Sequence, residues 1–106
     1  MTTPRTSPVP VHLSTSSVYP KGPGYCFDVA QRLGYDGVEV MVWTEGVTQQ
    51  AAPLRALSAA HNLPIGAIHA PTLLLAQRLS DWDPWGKIDR SIELAREVGA
   101  PTVVIH

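Results

Sequence analysis

Val29-Ala30-Gln31-Arg32-Leu33-Gly34-Tyr35-Asp36-Gly37-Val38-Glu39-Val40 returns 65 residues later as Leu94-Ala95-Arg96-Glu97-Val98-Gly99-Ala100-Pro101-Thr102-Val103-Val104-Ile105. Each copy reads as a helix end, a glycine stop, a short turn and a β-branched strand. Gly34 and Gly99 suit the left-handed conformation that closes a helix, and the Val and Ile residues that follow favour a pleated, buried surface. Between them, Ala59-Ala60-His61-Asn62-Leu63-Pro64 follows the same plan with Asn62 in the place of the glycines. Strand and helix alternating in this way predict right-handed crossovers and a parallel sheet.

Working outward, four apolar runs of strand length are visible: Val9 to Ser14, Gly37 to Trp43, Pro64 to His69 and Thr102 to His106. Three helices fill the gaps. The first, near Tyr25 to Leu33, sets Cys26, Phe27, Ala30 and Leu33 on one side; the second, near Ala51 to His61, buries Leu54 and Leu57. The third starts with Asp83 as N-cap and Pro84 at the first helical position, and carries the stripe Ile88, Ile92 and Ala95. The helix stops are 28 and 37 residues apart, the size of a strand-helix unit in a (β/α) barrel. The fold class expected is α/β, parallel, of the TIM-barrel type, here a half barrel of about four strands and three helices. Residues 1–8 read as a flexible N-terminal segment and residues 9–106 as the N-terminal half of a (β/α)8 barrel.

Composition narrows the function classes. A net charge of -1 with eight scattered Lys and Arg offers no basic footprint for nucleic acid. The lone Cys26 cannot form an internal disulfide, and Met1 to Pro8 lacks the apolar core of a signal peptide. No apolar run approaches the ~20 residues of a membrane span. A cytoplasmic protein is expected.

Side chains on a strand alternate between its two faces. On the second strand Val38, Val40 and Val42 then face the helices, while Glu39, Met41 and Trp43 face the other way. On the first, Val9, Val11 and Leu13 point outward and His12 and Ser14 inward. His69, His106 and Met41 each lie seven residues after a helix stop, which predicts a common strand level. One cavity would thus receive His12, Ser14, Glu39, His69 and His106. Imidazoles and a carboxylate in a desolvated pocket suit divalent-metal ligation or proton transfer, since burial and mutual charge tune their acidities.

Two loops add candidates. Ala70 to Asp83 is the longest connection and leaves the same end of the sheet as His69; it carries Arg78 and Trp82, with Trp85 just beyond. Lys21-Gly22-Pro23-Gly24 could wrap an anionic group, although its spacing is not that of a phosphate loop. His61, at a helix end, is expected to meet terminal carbonyls.

Gly34-Tyr35-Asp36-Gly37-Val38-Glu39-Val40, Ile68-His69-Ala70-Pro71 and Val103-Val104-Ile105-His106 together resemble the xylose isomerase-like TIM barrels. The resemblance runs from about Val11 to His106, with Asp83-Pro84-Trp85-Gly86-Lys87 closest in flavour to bacterial sugar phosphate isomerases and epimerases. It implies a metal-dependent isomerase or epimerase of a small sugar or sugar phosphate. Glu39 and His69 would be catalytic, His12, Ser14, Trp43 and Arg78 would bind substrate, and His69 and His106 would bind a divalent ion (Mn, Mg, Co or Zn). In the endonuclease IV branch, the two histidine positions hold metal for phosphodiester hydrolysis, which is the alternative activity. In the isomerase branch the metal is held by Glu, Asp, His and Glu on later strands, which this chain does not include.

Only the first half of that barrel is matched. A four-strand half sheet would leave its inner face and last edge uncovered, so the missing half or self-association is expected, and the chain alone is expected to be inactive. A non-catalytic assembly unit is the remaining alternative.

Overall fold

A computed structural model describes residues 9–42, 46–71 and 84–105. Strand β1 (His12–Ser14) leads through a 3-10 turn (Thr15–Val18) to helix α1 (Pro23–Leu33). Strand β2 (Gly37–Met41) and a second 3-10 turn (Gly46–Gln49) precede α2 (Ala51–His61). Strand β3 (Ile65–His69), α3 (Pro84–Val98) and β4 (Thr102–Val104) are the remaining elements among the described residues. The four strands form one sheet in the order β1-β2-β3-β4, every pair parallel. The α/β class and the parallel sheet expected from the repeat are therefore present.

The three helix stops behave as the repeat predicts. Gly34 (φ 81°), Asn62 (φ 53°) and Gly99 (φ 78°) all adopt the left-handed conformation. Glycine, which has no Cβ, adopts it at the least cost, and Asn is tolerated next best. Helix α1 starts earlier than expected because Pro23, with no N–H to leave unbonded, sits in its first turn. Asp83 lies outside the described residues.

The helices pack on one face of the sheet. Val38, Val40 and Ile68 are fully buried there with Phe27 and Ala30 of α1, Leu54 of α2 and Leu94 of α3 in a single cluster. Burying side chains of this size stabilises by about 1.5–3 kcal/mol each. Four expected positions are corrected. Leu33 is 70% exposed, because it lies in the last turn of α1, past the cluster formed by Cys26, Phe27 and Ala30. Ile92 is 42% exposed, and the buried side of α3 runs through Ser91, Leu94 and Ala95. Val9 and Val11 are exposed because they precede β1; Val11 instead exchanges hydrogen bonds with Asp36, donating to its carboxylate at 2.7 Å and accepting from its N–H at 2.9 Å.

Candidate functional site

The opposite face of the sheet carries the polar side chains. The register pairs Ser14 with Glu39, Glu39 with Ala67, and Met41 with His69. The valine phase on β2 thus holds: Val38 and Val40 are buried under the helices, while Glu39 and Met41 are half-buried on the other side. A bulge between Val38 and Glu39 sets Gly66 as an extra residue in β3, which returns His69 to the level of Met41.

Two glycines shape this face. A Cβ on Gly66 would collide with the His12 ring, and one on Gly37 would fall 3.1 Å from its Nε2 and 2.7 Å from the Pro64 carbonyl oxygen. The imidazole of β1 lies across the bare backbones of β2 and β3. This places His12 on the face opposite the helices, as alternation predicts, and explains why neither neighbour has a side chain.

His69 is 8% exposed, and its Nδ1 lies 2.8 Å from the Ala70 carbonyl oxygen. A carbonyl only accepts, so Nδ1 carries the proton and, in the neutral ring, Nε2 is the basic nitrogen. Glu39 is different. Among the described residues its carboxylate has no hydrogen-bond or ion-pair partner, although it is half-buried between Ser14 and Ala67. Ser14 is occupied locally: its hydroxyl meets Ser16 Oγ at 2.8 Å and accepts the Ser16 N–H at 3.2 Å, capping the 3-10 turn.

The residue paired with His69 on β4 is Val104, because Ala67 faces Thr102 and β4 is offset by two residues from the count made at the helix stops. His106, Trp43 and Arg78 lie outside the described residues, as do Trp82 and the rest of 72–83. His61 meets the expectation for a helix end, with Nδ1 2.9 Å from the Leu57 carbonyl oxygen.

Two donors suited to a divalent ion, His69 Nε2 and the Glu39 carboxylate, share this face. A catalytic centre uses about three protein ligands. Among the described residues no group of three His, Cys, Asp or Glu could hold a metal ion, so these residues do not by themselves form such a centre. No helix among them is long and apolar enough to cross a membrane.

A cavity of about 430 Å³ opens at the carboxyl ends of β1 and β2. Thr15 and Thr48, both buried, and half-buried Met41 line its deeper part; Ser16, Tyr19 and Lys21 stand at its exposed rim. Sequence periodicity did not single out Thr15 or Thr48, because both sit in 3-10 turns. The hydroxyl-rich run Ser14-Thr15-Ser16-Ser17 was the available signal, since such residues compete for local backbone groups.

The chain is 48% identical over 98 residues to uncharacterized proteins of Mycobacterium tuberculosis (strain H37Rv) and Mycobacterium bovis, and 45% identical to one of Mycobacterium leprae. The match covers 92% of this chain and 35% of each relative, so the chain spans about a third of the length of the curated relatives it matches. No family model and no solved structure matches.

Proposed function

We propose that this chain is the first half of a (β/α)8 barrel of the xylose isomerase-like type, and that the complete barrel isomerises or epimerises a small sugar or sugar phosphate. Three features support the architecture. The strand order never reverses, the three helices among the described residues cover one face, and β4 is offset along β3 in the manner of the stagger that barrel closure requires. A match of 98 residues that is 35% of a relative implies a relative of about 280 residues, close to the roughly 250 of a complete barrel. A cytoplasmic setting, in which Cys26 stays a thiol, belongs to the same reading.

The observation that carries the reaction is Glu39, a half-buried carboxylate with no partner among the described residues, on the same face as His69. A carboxylate so placed can take a proton from the carbon beside a substrate carbonyl and return it to the neighbouring carbon or the opposite side. Nε2 of His69 would accept a hydrogen bond from a substrate hydroxyl and orient it. A divalent ion, which would polarise the carbonyl, would draw most of its ligands from outside the described residues. Positioned general acid-base groups contribute typically 10²–10⁴-fold.

Solvent-deuterium exchange tests this. The full-length Mycobacterium tuberculosis relative, incubated in D2O with phosphorylated and free aldoses and ketoses and each of Mn, Mg, Co and Zn, should place deuterium on the carbon beside the carbonyl. Absence of exchange across the whole panel would overturn the reading.

A further inference from the structure

The cavity at the strand ends is built for something other than a polyol, whatever reaction the inner face performs. Thr15 directly follows β1 and Met41 ends β2, so two adjacent parallel strands fix its place. At about 430 Å³ the volume lies in the range of small-molecule sites, roughly 300–1,000 Å³.

Its lining is largely apolar. The Met41 thioether, the buried Pro23 ring and the Tyr19 ring stand on it with the buried Thr15 and Thr48. Thr15 Oγ1 already accepts the Met41 N–H at 2.9 Å and so serves the strand end. A polyol carries a hydroxyl on nearly every carbon, and each one pressed against such walls without a partner costs affinity. A ring with few polar atoms avoids that cost. An aromatic ring gains more, since a thioether packs favourably at ring edges and a Tyr ring pairs with another in offset or edge-to-face fashion.

One charge stands at the rim. Among the described lining residues Lys21 is the one ionised group and none is a carboxylate, and it has no ion pair with any described residue. Its Nζ lies 5.4 Å from the Tyr25 ring centroid, a contact that steadies the long side chain. A lone exposed ammonium balances a single negative charge and adds only a few-fold to affinity. Burial of the ring then carries the binding, and the lysine sets which end of the ligand stays in water.

We propose that this cavity binds a small aromatic monocarboxylate, with the ring against Met41, Pro23 and Tyr19 and the carboxylate beside Lys21 at the rim.

Met41 reports on the cavity directly. The chain has two methionines, so labelling their methyl groups with 13C gives one signal from Met41 and one from Met1. In titrations of this chain, benzoate should shift the Met41 signal through its ring current and leave Met1 in place. Acetate and glucose should bind at least tenfold more weakly than benzoate, because neither buries a ring. Benzyl alcohol, which keeps the ring and lacks the charge, should bind about threefold more weakly. Lys21→Met should erase that last difference and, because Lys21 is exposed, should melt with the native chain. The proposal is overturned if benzoate leaves the native Met41 signal unmoved, if acetate or glucose binds as tightly, or if Lys21→Met still prefers benzoate to benzyl alcohol. The signal reads occupancy without turnover, so its outcome is decided apart from the deuterium exchange.

Discussion

The two faces of the sheet are built from the same strands and follow opposite rules. Toward the helices, Val38, Val40 and Ile68 are wholly buried in one apolar cluster. On the other side, His12, Ser14, Glu39 and His69 alternate with glycine, alanine and methionine. Stability is concentrated on the first face. The second keeps a half-buried carboxylate without a partner among the described residues. The proposed chemistry is assigned to that second face.

Breaking the apolar face should have the largest effect. Ile68→Ala removes a fully buried side chain beneath the helices and should cost about 2–5 kcal/mol in urea unfolding. A loss below about 1 kcal/mol would mean that the face collapses around the gap. On the inner face, Gly66→Ala drives a methyl into the His12 ring and should cost about 1–3 kcal/mol. The same change in a His12→Ala background should be close to neutral, and an equal loss in both backgrounds would dismiss the contact.

The helix stops belong to neither face and should matter less. Gly34→Ala forces a Cβ into the left-handed region, where nothing else crowds it, and should cost roughly 1–2 kcal/mol. Asn62→Gly should be neutral or slightly stabilising by the same reasoning.

A smaller effect concerns Cys26, fully buried on the helix side. Burial pushes its thiol up from 9.0 to about 11. The folded value is raised, so stability is complete below pH 9.0 and falls as pH rises toward 11, when only the unfolded chain ionises. Melting followed from pH 8 to 11 should show a decline that Cys26→Ala reduces. A decline unchanged in that variant would assign it to other groups.

Much of this division was legible in the residues. The left-handed stops at Gly34, Asn62 and Gly99 are local properties, and so is the alternation that separates Val38 and Val40 from Glu39 and Met41. Relations between elements were less readable. Which turn of α3 meets the sheet depends on packing against β3 and α2, so Ile92 was misplaced and Leu94 overlooked. The pairing of His69 with Val104 depends on the offset of β4, which no count along one strand contains. The bulge at Gly66 and the notch that receives His12 arise across three strands. The cavity depends on a hydroxyl in a turn bonding to a neighbouring strand, which periodicity does not register.

The central claim is that Glu39 is held on the inner face for chemistry and not for stability. The melting temperature of Glu39→Met, a swap of similar length that removes the charge, tests it most directly. The account predicts a melting temperature equal to or above that of the native chain, since a carboxylate with no partner among the described residues gives way to an apolar group on a half-buried strand position. A fall as large as that produced by Ile68→Ala would contradict it and make Glu39 part of the framework.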